Sequence, residues 1–445
     1  MPRHSKHRAC DDFQETARAL TRRQLLGRSL GAGLSVYMAS GMPFTRVLEA
    51  AEAAAADAPR APVLVTVFLA GGCDLLSTLA PVQQAGSVAD LRGKLALQQP
   101  ALAKDARVAA HPALSTGQNG GIAGLFEAGK VGFLPGIDYH NPDLSHFHSR
   151  HFWETGLITQ RDAPGWLGRW LDRHGRPDNP LQALTVGGGL SPVLRSVKAP
   201  AASVGSPGDA QLSMTGVWGD QAKAALRTWE RLAKHAVSGQ PGPQAAAEAA
   251  RLTKAVADRL APYQGKDGKP HPAFLPKADY PKDSDLADKL QSLAGMLSLP
   301  LGIRLATVDS SNDFDTHDNQ AAELRKSLGD VSGALSAFQA DLEARGLADR
   351  VMTLVWSEFG RRPQANDSGG TDHGAGGIAW VQGTRAASGV LSEYPDVRRL
   401  DREGNLRVTV DFRRVYASLI EQWLGTDASE VIPNAKAFGR IALVR

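Results

Sequence analysis

The chain has 445 residues, is 42% hydrophobic and carries a formal net charge of +4. This length permits a large buried core and two or three domains. The first 58 residues hold eight Lys or Arg and six Asp or Glu, which leaves a net charge of +2 for the remainder. With so weak a charge and no interleaving of aromatic and basic residues, the sequence argues against a nucleic-acid partner. The two cysteines, Cys10 and Cys73, form no CxxC metal motif.

The N-terminal segment has the order of a secretory leader. In TRRQLLGRSLGAGLSVYMASGMPFTRVLEA, residues 21–50, a basic stretch precedes a weakly apolar, Gly-rich run, and small residues follow. The pair Arg22-Arg23 resembles a twin-arginine signal, which implies transfer by the twin-arginine export machinery. We therefore predict that residues 1–58 are a signal peptide and linker and that the mature protein is periplasmic or extracellular. An amphipathic helix of the fold is the alternative for this segment.

No segment approaches the roughly 20 apolar residues that a transmembrane helix needs, and Arg28 interrupts the leader. We therefore expect no stable membrane span after cleavage. Removal of the leader would also remove Cys10 and leave Cys73 without a disulfide partner.

Strands and helices alternate along residues 59–445. In chain order the predicted elements are a buried strand over 63–69, a helix and a short strand over 121–137, a helix over 165–175, a strand over 181–192, Ala-rich helices over 205–262, a helix over 285–298, a strand over 301–311, a helix over 320–345, the strand VMTLVW over 351–356, and a C-terminal helix with Asp411 near its start. This alternation predicts an α/β fold, a large and mostly parallel sheet covered by helices on both faces. The segment about 205–298 reads as a helical insertion.

Polar residues recur at, or just past, the ends of the predicted strands. They are Asp74, Asp315 with His317, Glu358, and Asp372 with His373. Ligands of open α/β sheets bind outside the carboxyl ends of the strands, so we expect these side chains to lie close together at that edge of the sheet. Imidazoles with carboxylates suit zinc, iron or manganese, whereas carboxylates alone suit magnesium or calcium. The recurrence predicts one or two divalent metal ions, although each residue alone could be a turn former or helix cap.

The segment DYHNPDLSHFHSRHFWETG, residues 138–156, is rich in histidine. The pair His146 and His148 is a pattern also found in copper sites. A multicopper site, however, needs several such pairs and a nearby ligand cysteine, and the sequence has neither. Ser145 begins a predicted helix, so it reads either as an N-cap or as a nucleophile at a helix N-terminus. Both interpretations stay open.

Seven motifs in this order resemble the bacterial family catalogued as domain of unknown function 1501. They are FLAGGCD, SHFHSRHFWETG, GWLGRWL, FDTHDNQ, SEFGRRP, GTDHGAGG and DFRRVYASLIEQWLG. That family resembles the alkaline phosphatase and sulfatase superfamily. The resemblance implies a three-layer α/β/α sandwich with metal sites at the strand ends.

The resemblance also implies roles for particular residues. Asp74 would bind one metal after the first strand, and Asp315 with His317 would bind the other. Ser145 falls at the position of the nucleophile. Glu358 stands where a ligand pair ends a strand, and His373 resembles a late histidine ligand; Asp372 precedes it.

Three departures from the superfamily pattern bear on the metal sites. Phe359 stands where the superfamily has a histidine, Asp315 and His317 are closer together than usual, and Asp313 replaces a common Gly. One site is therefore incomplete, or His146, His148 or Asp372 substitutes.

These readings favour an exported metal-dependent hydrolase of phosphate or sulfate esters of small molecules or polysaccharides. Ser145 would attack in line, and Arg150 or Arg361 would steady the equatorial oxygens. The alternative is a non-catalytic exported binding or scaffold protein on a degenerate sulfatase-like fold. A single metal that serves only stability is a third reading.

Overall fold

The computed structural model describes residues 35–37, 61–177, 179–204, 256, 259–266 and 269–445. Arg22, Arg23 and nearly all of the predicted leader lie outside the described residues, as does most of the Ala-rich segment 205–262. No helix within the described ranges is both long enough and apolar enough to cross a membrane.

A ten-stranded mixed sheet forms the centre of the fold. In chain order the strands are β1 (Ser35–Tyr37), β2 (Val63–Phe68), β3 (Leu79–Pro81), β4 (Val108–Ala110), β5 (Val131–Asp138), β6 (Ala183–Val186), β7 (Ala201–Val204), β8 (Leu305–Asp309), β9 (Val351–Trp356), β10 (Gly360–Arg361), β11 (His373–Gly374), β12 (Gly377–Gln382), β13 (Gly389–Val390) and β14 (Val410–Asp411). The sheet order is β1-β7-β6-β8-β2-β9-β12-β5-β13, with β14 beside β5. Strands β3 with β4 and β10 with β11 form two small ribbons outside it.

Most strand pairings in the sheet are parallel. Strands β7, β6, β8, β2 and β9 pair with one another in parallel, and β13 and β14 are parallel to β5. Strand β12 is antiparallel to both of its neighbours, β9 and β5, and β1 is antiparallel to β7. The predicted α/β fold with a large, mostly parallel sheet is thus confirmed.

Helices cover both faces of the sheet. They are α1 (Leu75–Thr78), α2 (Ala85–Arg92), α3 (Gly121–Glu127), α4 (His146–Thr155), α5 (Trp166–His174), α6 (Asp285–Leu297), α7 (Gln320–Ala344) and α8 (Phe412–Gln422). Side chains of β2 alternate between two hydrophobic cores, as the period of a strand requires. Val63, Val65 and Val67 face the core that includes α3, α6 and α7, whereas Leu64 and Phe68 face the core that includes α4, α5 and α8. The three layers are therefore helix, sheet and helix.

The helices begin where the sequence provides caps. Ser284 precedes α6, and its side chain accepts a hydrogen bond from the Ala287 backbone at 3.1 Å. Asp411 precedes α8, and its Oδ1 accepts from the Arg413 backbone at 2.9 Å. Each cap satisfies a backbone N–H that the first turn of a helix leaves free.

Candidate metal centre

Three adjacent parallel strands bring the candidate site together. Strands β8, β2 and β9 lie side by side, with Phe68 in register with both Asp309 and Trp356. Their loops leave the sheet at one edge, the edge at which ligands of open α/β sheets bind. Asp315 lies in the loop after β8, and Glu358 comes two residues after β9.

Asp315 lies at the centre of three imidazoles. Its Oδ1 is 3.0 Å from His317 Nε2 and 3.1 Å from His373 Nε2. Its Oδ2 is 3.4 Å from His146 Nε2, and the Nε2 atoms of His317 and His373 are 2.9 Å apart. We call Asp315, His146, His317 and His373 the histidine–aspartate cluster.

Each imidazole of the cluster is held through its other nitrogen, Nδ1. The acceptors are Glu358 Oε1 for His146 at 2.8 Å, Asp372 Oδ1 for His317 at 3.2 Å, and the Leu144 carbonyl for His373 at 2.9 Å. With Nδ1 donating, each neutral ring turns its Nε2 lone pair toward Asp315. Metal-bound histidines are oriented in this way, by a carboxylate or a backbone carbonyl on the far ring nitrogen.

The cluster is arranged to hold a positive charge. Burial opposes ionisation of Asp315, but the adjacent imidazoles and the Arg361 guanidinium outweigh it and lower the pKa of this carboxyl. Burial alone would lower the pKa of His146, yet the adjacent carboxylates of Asp315 and Glu358 raise it to about 9. Without a metal, a proton on His146 therefore takes the place of the cation between the two groups.

The residues present fit a divalent cation. His146 Nε2 is buried and has no hydrogen-bond partner among the described residues. Ligand atoms of His146, Asp315 and His373 lie within 4.8 Å of one another. Metal–ligand bonds of about 2.0–2.2 Å around a tetrahedral ion place neighbouring ligands roughly 3.3 Å apart, close to the spacing in the cluster. Three imidazoles with one carboxylate suit zinc, iron or manganese.

Glu358 positions His146 and the loop after β2. Its carboxylate is 2% exposed and accepts hydrogen bonds from the backbone of Gly71 at 2.9 Å and of Gly72 at 3.2 Å, besides that from His146. The predicted ligand Glu358 is therefore one hydrogen bond away from the cluster. Its neighbour Phe359 packs against the His146 ring, with 4.8 Å between the ring centroids, and forms a wall of the site.

Arg361 is hydrogen-bonded to Asp315 and to the backbone around it. Its Nη2 donates to Asp315 and to the Gly71 carbonyl, its Nε donates to the Gly72 carbonyl at 3.0 Å, and its Nη1 donates to the Thr371 carbonyl at 2.8 Å. The side chain has no exposed surface. All three guanidinium nitrogens are engaged, so in this structure Arg361 positions the carboxylate.

Asp74 belongs to a separate buried network. Its Oδ2 accepts from Arg92 Nη1 at 2.5 Å and from Gln320 Nε2 at 2.6 Å, and its Oδ1 accepts from Arg92 Nη2 at 2.8 Å. It also caps α1 by accepting from the Leu76 backbone at 3.2 Å. The structure thus does not bring Asp74 together with the histidine–aspartate cluster.

Ser145 occupies the N-cap position of α4, but its side chain makes no capping hydrogen bond. Its backbone N–H donates to Asp143 Oδ1 at 3.0 Å. The preceding carbonyl, that of Leu144, accepts from His373, and the next residue is His146. The hydroxyl is therefore free of the cap role and lies in a backbone segment tied to the cluster on both sides.

Arg150 lies in helix α4, and its guanidinium is bound to two acidic side chains. Its Nε donates to Glu154 at 2.8 Å and its Nη2 donates to Asp309 at 2.7 Å, while the guanidinium lies 4.3 Å from the centroid of the Phe68 ring. Its predicted contact with ester oxygens would require the pair with Asp309 to open.

Among the predicted ligands, the structure brings Asp315, His317 and His373 together. It adds His146, which the sequence offered only as a possible substitute in the His-rich segment. His148 lies outside the cluster: its side chain is 44% exposed and its Nδ1 donates to Asp143 at 2.7 Å. No motif spacing distinguished His146 from His148, because the contact with Asp315 spans more than 160 positions of sequence.

The sheet, its two helical layers and this cluster define an α/β/α sandwich protein with a candidate metal centre at the carboxyl edge of the sheet. The chain belongs to the family described as "Protein of unknown function (DUF1501)", whose model matches residues 140–432. A search of curated proteins found no match.

Solved structures similar to this chain include two hydrolases and a synthase. The alkaline phosphatase of the Antarctic bacterium TAB5 is 9% identical, with a TM-score of 0.31, over 73% of this chain and 91% of that one. The PsFucS1 sulfatase from Pseudoalteromonas sp. is 12% identical, with a TM-score of 0.33, over 91% and 75%. The lipoteichoic acid synthase LtaP from Listeria monocytogenes is 8% identical, with a TM-score of 0.31, over 86% and 76%. Likeness of this size does not establish the fold, which rests on the sheet topology itself.

Proposed function

We propose that this protein is an exported metal-dependent hydrolase of phosphate or sulfate esters. The observation that carries the proposal is the convergence of three imidazole Nε2 atoms on the Asp315 carboxylate at the carboxyl edge of the sheet. A divalent metal held by His146, His317, His373 and Asp315 would act as a Lewis acid on an ester oxygen and would lower the pKa of a nearby hydroxyl.

Ser145 is the proposed nucleophile. Its Oγ gives its proton to water and forms a bond to phosphorus or sulfur while the bond to the ester oxygen breaks, and the departing alkoxide takes a proton from water. Attack of water on the same centre then releases the inorganic anion and restores the serine. Glu358 and Asp372 keep the rings of His146 and His317 oriented throughout.

Metal content tests the site. Elemental analysis of the natively exported protein is expected to find one or two equivalents of zinc, iron or manganese, and a His317→Ala/His373→Ala variant is expected to lose them. His148→Ala/His151→Ala removes two imidazoles that lie outside the cluster and is expected to retain the metal. Absence of metal from the folded wild-type protein would exclude the proposed metal-dependent hydrolase function.

Activity tests the nucleophile. In a screen of aryl phosphates and aryl sulfates, Ser145→Ala is expected to reduce kcat by at least about a thousandfold because the covalent route is lost. The variant should keep its metal, since Ser145 makes no side-chain bond to the cluster. Full activity in Ser145→Ala would exclude this residue as the nucleophile.

A binding or scaffold function is the second candidate. It is favoured by Phe359, whose ring contacts His146 and His373 with centroid distances of 4.8 Å and 4.7 Å where the superfamily resemblance implies a ligand. A protein that binds metal tightly yet cleaves no ester in the screen would support this candidate, as would an intact fold without any metal.

Export is also part of the proposal and rests on the leader sequence. Fusion of residues 1–58 to a reporter that folds before export should deliver it across the inner membrane. An Arg22→Lys/Arg23→Lys variant should retain the reporter inside the cell, and unchanged delivery would argue against twin-arginine export.

A further inference from the structure

A cavity lies apart from the histidine–aspartate cluster. Its volume is about 410 Å³, and it lies between the segment that follows α2 and the first turns of α7. No residue of the cluster lines it. The volume is within the range of small-molecule sites, roughly 300–1,000 Å³.

One buried donor in the lining of this cavity has no acceptor in the part of the chain that the structure describes. His111 is 9% exposed, and its Nδ1 accepts a hydrogen bond from the Ala113 backbone at 3.1 Å. The proton of the neutral ring is therefore on Nε2, for which the described residues provide no acceptor. Ser77 also lines the cavity, but its oxygen accepts from Arg92 Nη1 at 3.2 Å and from Gln320 Nε2 at 3.1 Å, and its hydroxyl is hydrogen-bonded to the Asp74 carboxylate.

The charges that line the cavity are positive. Lys94 and Arg325 line it, and neither forms an ion pair or a hydrogen bond with another described residue. No Asp or Glu is among the lining residues. Beneath the cavity, the negative charge of Asp74 is balanced by Arg92. Unpaired cations and a buried donor without an acceptor, in a cavity lined by no carboxylate, are the features of an anion site.

We propose that this cavity binds a tetrahedral oxyanion, phosphate or sulfate, either free or as the terminal group of an organic molecule. His111 Nε2 donates to the anion from the inner wall, and Lys94 and Arg325 pair with it from the mouth. The first turn of α7 contributes the positive end of a 25-residue helix. The site does not depend on the proposed hydrolase function.

Calorimetric titration with inorganic phosphate at fixed ionic strength tests the proposal. The protein used is the full mature chain with the His317→Ala/His373→Ala changes, so that phosphate bound at the metal centre does not contribute. Adding Lys94→Gln/Arg325→Gln is expected to weaken binding at least about tenfold, because two charge-assisted contacts are lost. The control Lys282→Gln/Arg402→Gln, two exposed cations outside the cavity, is expected to change binding less than about twofold.

A local signal distinguishes this site from diffuse attraction to a positive surface. In a proton–carbon spectrum of the histidine rings, the signal that disappears in His111→Asn should move on addition of phosphate.

Phenylphosphonate, which cannot be hydrolysed at an ester bond, identifies the source of the anion. Tighter binding than phosphate indicates a terminal group on an organic molecule, and weaker binding indicates the free ion.

Two results would overturn the proposal. One is the absence of phosphate binding and of any shift in the His111 signal at millimolar phosphate. The other is equal phosphate affinity with and without the Lys94→Gln/Arg325→Gln changes. Either result leaves the hydrolase proposal untouched, because that proposal is tested by the metal and the ester screen.

Discussion

His146 has both ring nitrogens inside the protein, and each faces a carboxylate. Glu358 accepts from Nδ1, and Asp315 lies 3.4 Å from Nε2, just too far for a normal hydrogen bond. A buried nitrogen without a partner costs stability, so a native site normally provides a proton, a water or a metal for it. The chemistry proposed for the site therefore depends on this one imidazole as much as on the residues that the motifs identified.

Substitution of Arg361 gives a prediction for a single residue. Arg361→Met removes the guanidinium that pairs with Asp315 and donates to the carbonyls of Gly71, Gly72 and Thr371. Loss of one partner of a buried ion pair is expected to lower the free energy of unfolding by about 3 kcal/mol.

Urea denaturation of the two proteins measures this change. Arg398→Met is a suitable control, because its pair with Asp396 is exposed and little change in stability is expected. An Arg361→Met variant as stable as the wild-type protein would show that the guanidinium does not stabilise the loops around Asp315.

At the scale of elements, the exit of β2 depends on glycine for a steric reason. Gly71 has φ of +113°, and a Cβ there would lie 2.3 Å from the Asp315 backbone nitrogen. A Cβ on Gly72 would lie 2.5 Å from the Phe359 ring. The loop after β2 therefore packs against the backbone of the loop after β8 and against the Phe359 ring after β9, which brings Asp315 and Glu358 close enough to share His146.

Gly71→Ala is expected to lower the free energy of unfolding by about 3 kcal/mol and to displace Asp315, with loss of bound metal. Gly188→Ala isolates the effect of the steric clash. Gly188 also has a positive φ, +68°, but a Cβ there meets nothing within 4 Å, so a cost of about 1 kcal/mol is expected. Equal losses in the two variants would mean that backbone strain alone, without the contact to Asp315, accounts for the effect.

The cap of α8 gives a second prediction for an element. Asp411→Ala removes the side chain that accepts from the Arg413 backbone at 2.9 Å, and should lower the free energy of unfolding by about 1 kcal/mol. Asp411→Asn keeps an accepting oxygen and should restore most of the loss. Equal destabilisation by both substitutions in thermal unfolding would assign the effect to the pair with the Arg413 side chain instead.

For the molecule as a whole, pH tests a carboxyl outside the candidate site. Asp138 ends β5, is fully buried, and accepts from the backbone of Tyr139 at 3.0 Å and of Gly376 at 3.2 Å. Burial raises the pKa of this carboxyl well above its ordinary value. The folded protein therefore holds a proton that the unfolded chain has lost, so the stability from this group is full below about pH 4 and falls as pH rises.

Asp138→Asn removes that titration. Relative to this variant, the wild-type protein should lose stability as pH is raised from about 4 toward neutrality, as followed by urea unfolding at several pH values. A stability difference that stays constant across this range would show that Asp138 has the same pKa in the folded and unfolded chain.

The helices and strands that the sequence predicted well are those with a strong periodic pattern. The helix predicted over 320–345 is α7, Gln320–Ala344, and the helix predicted over 285–298 is α6, Asp285–Leu297. Both carry an apolar face at helical spacing, which local sequence expresses directly. The antiparallel direction of β12 was not predicted, because the run IAWVQG reads the same in either direction and strand direction depends on the connection.

The sequence by itself determined the layered α/β architecture, the burial of the strands and the presence of Asp315, His317 and His373 near strand ends. These properties follow from periodicity and composition, which a single chain displays residue by residue. The tertiary structure decided that His146 joins them, that Glu358 and Arg361 position the cluster, and that Asp74 pairs with Arg92 instead. Those choices depend on contacts between residues that lie far apart in sequence, and packing of the loops against one another is what selects among chemically equivalent side chains.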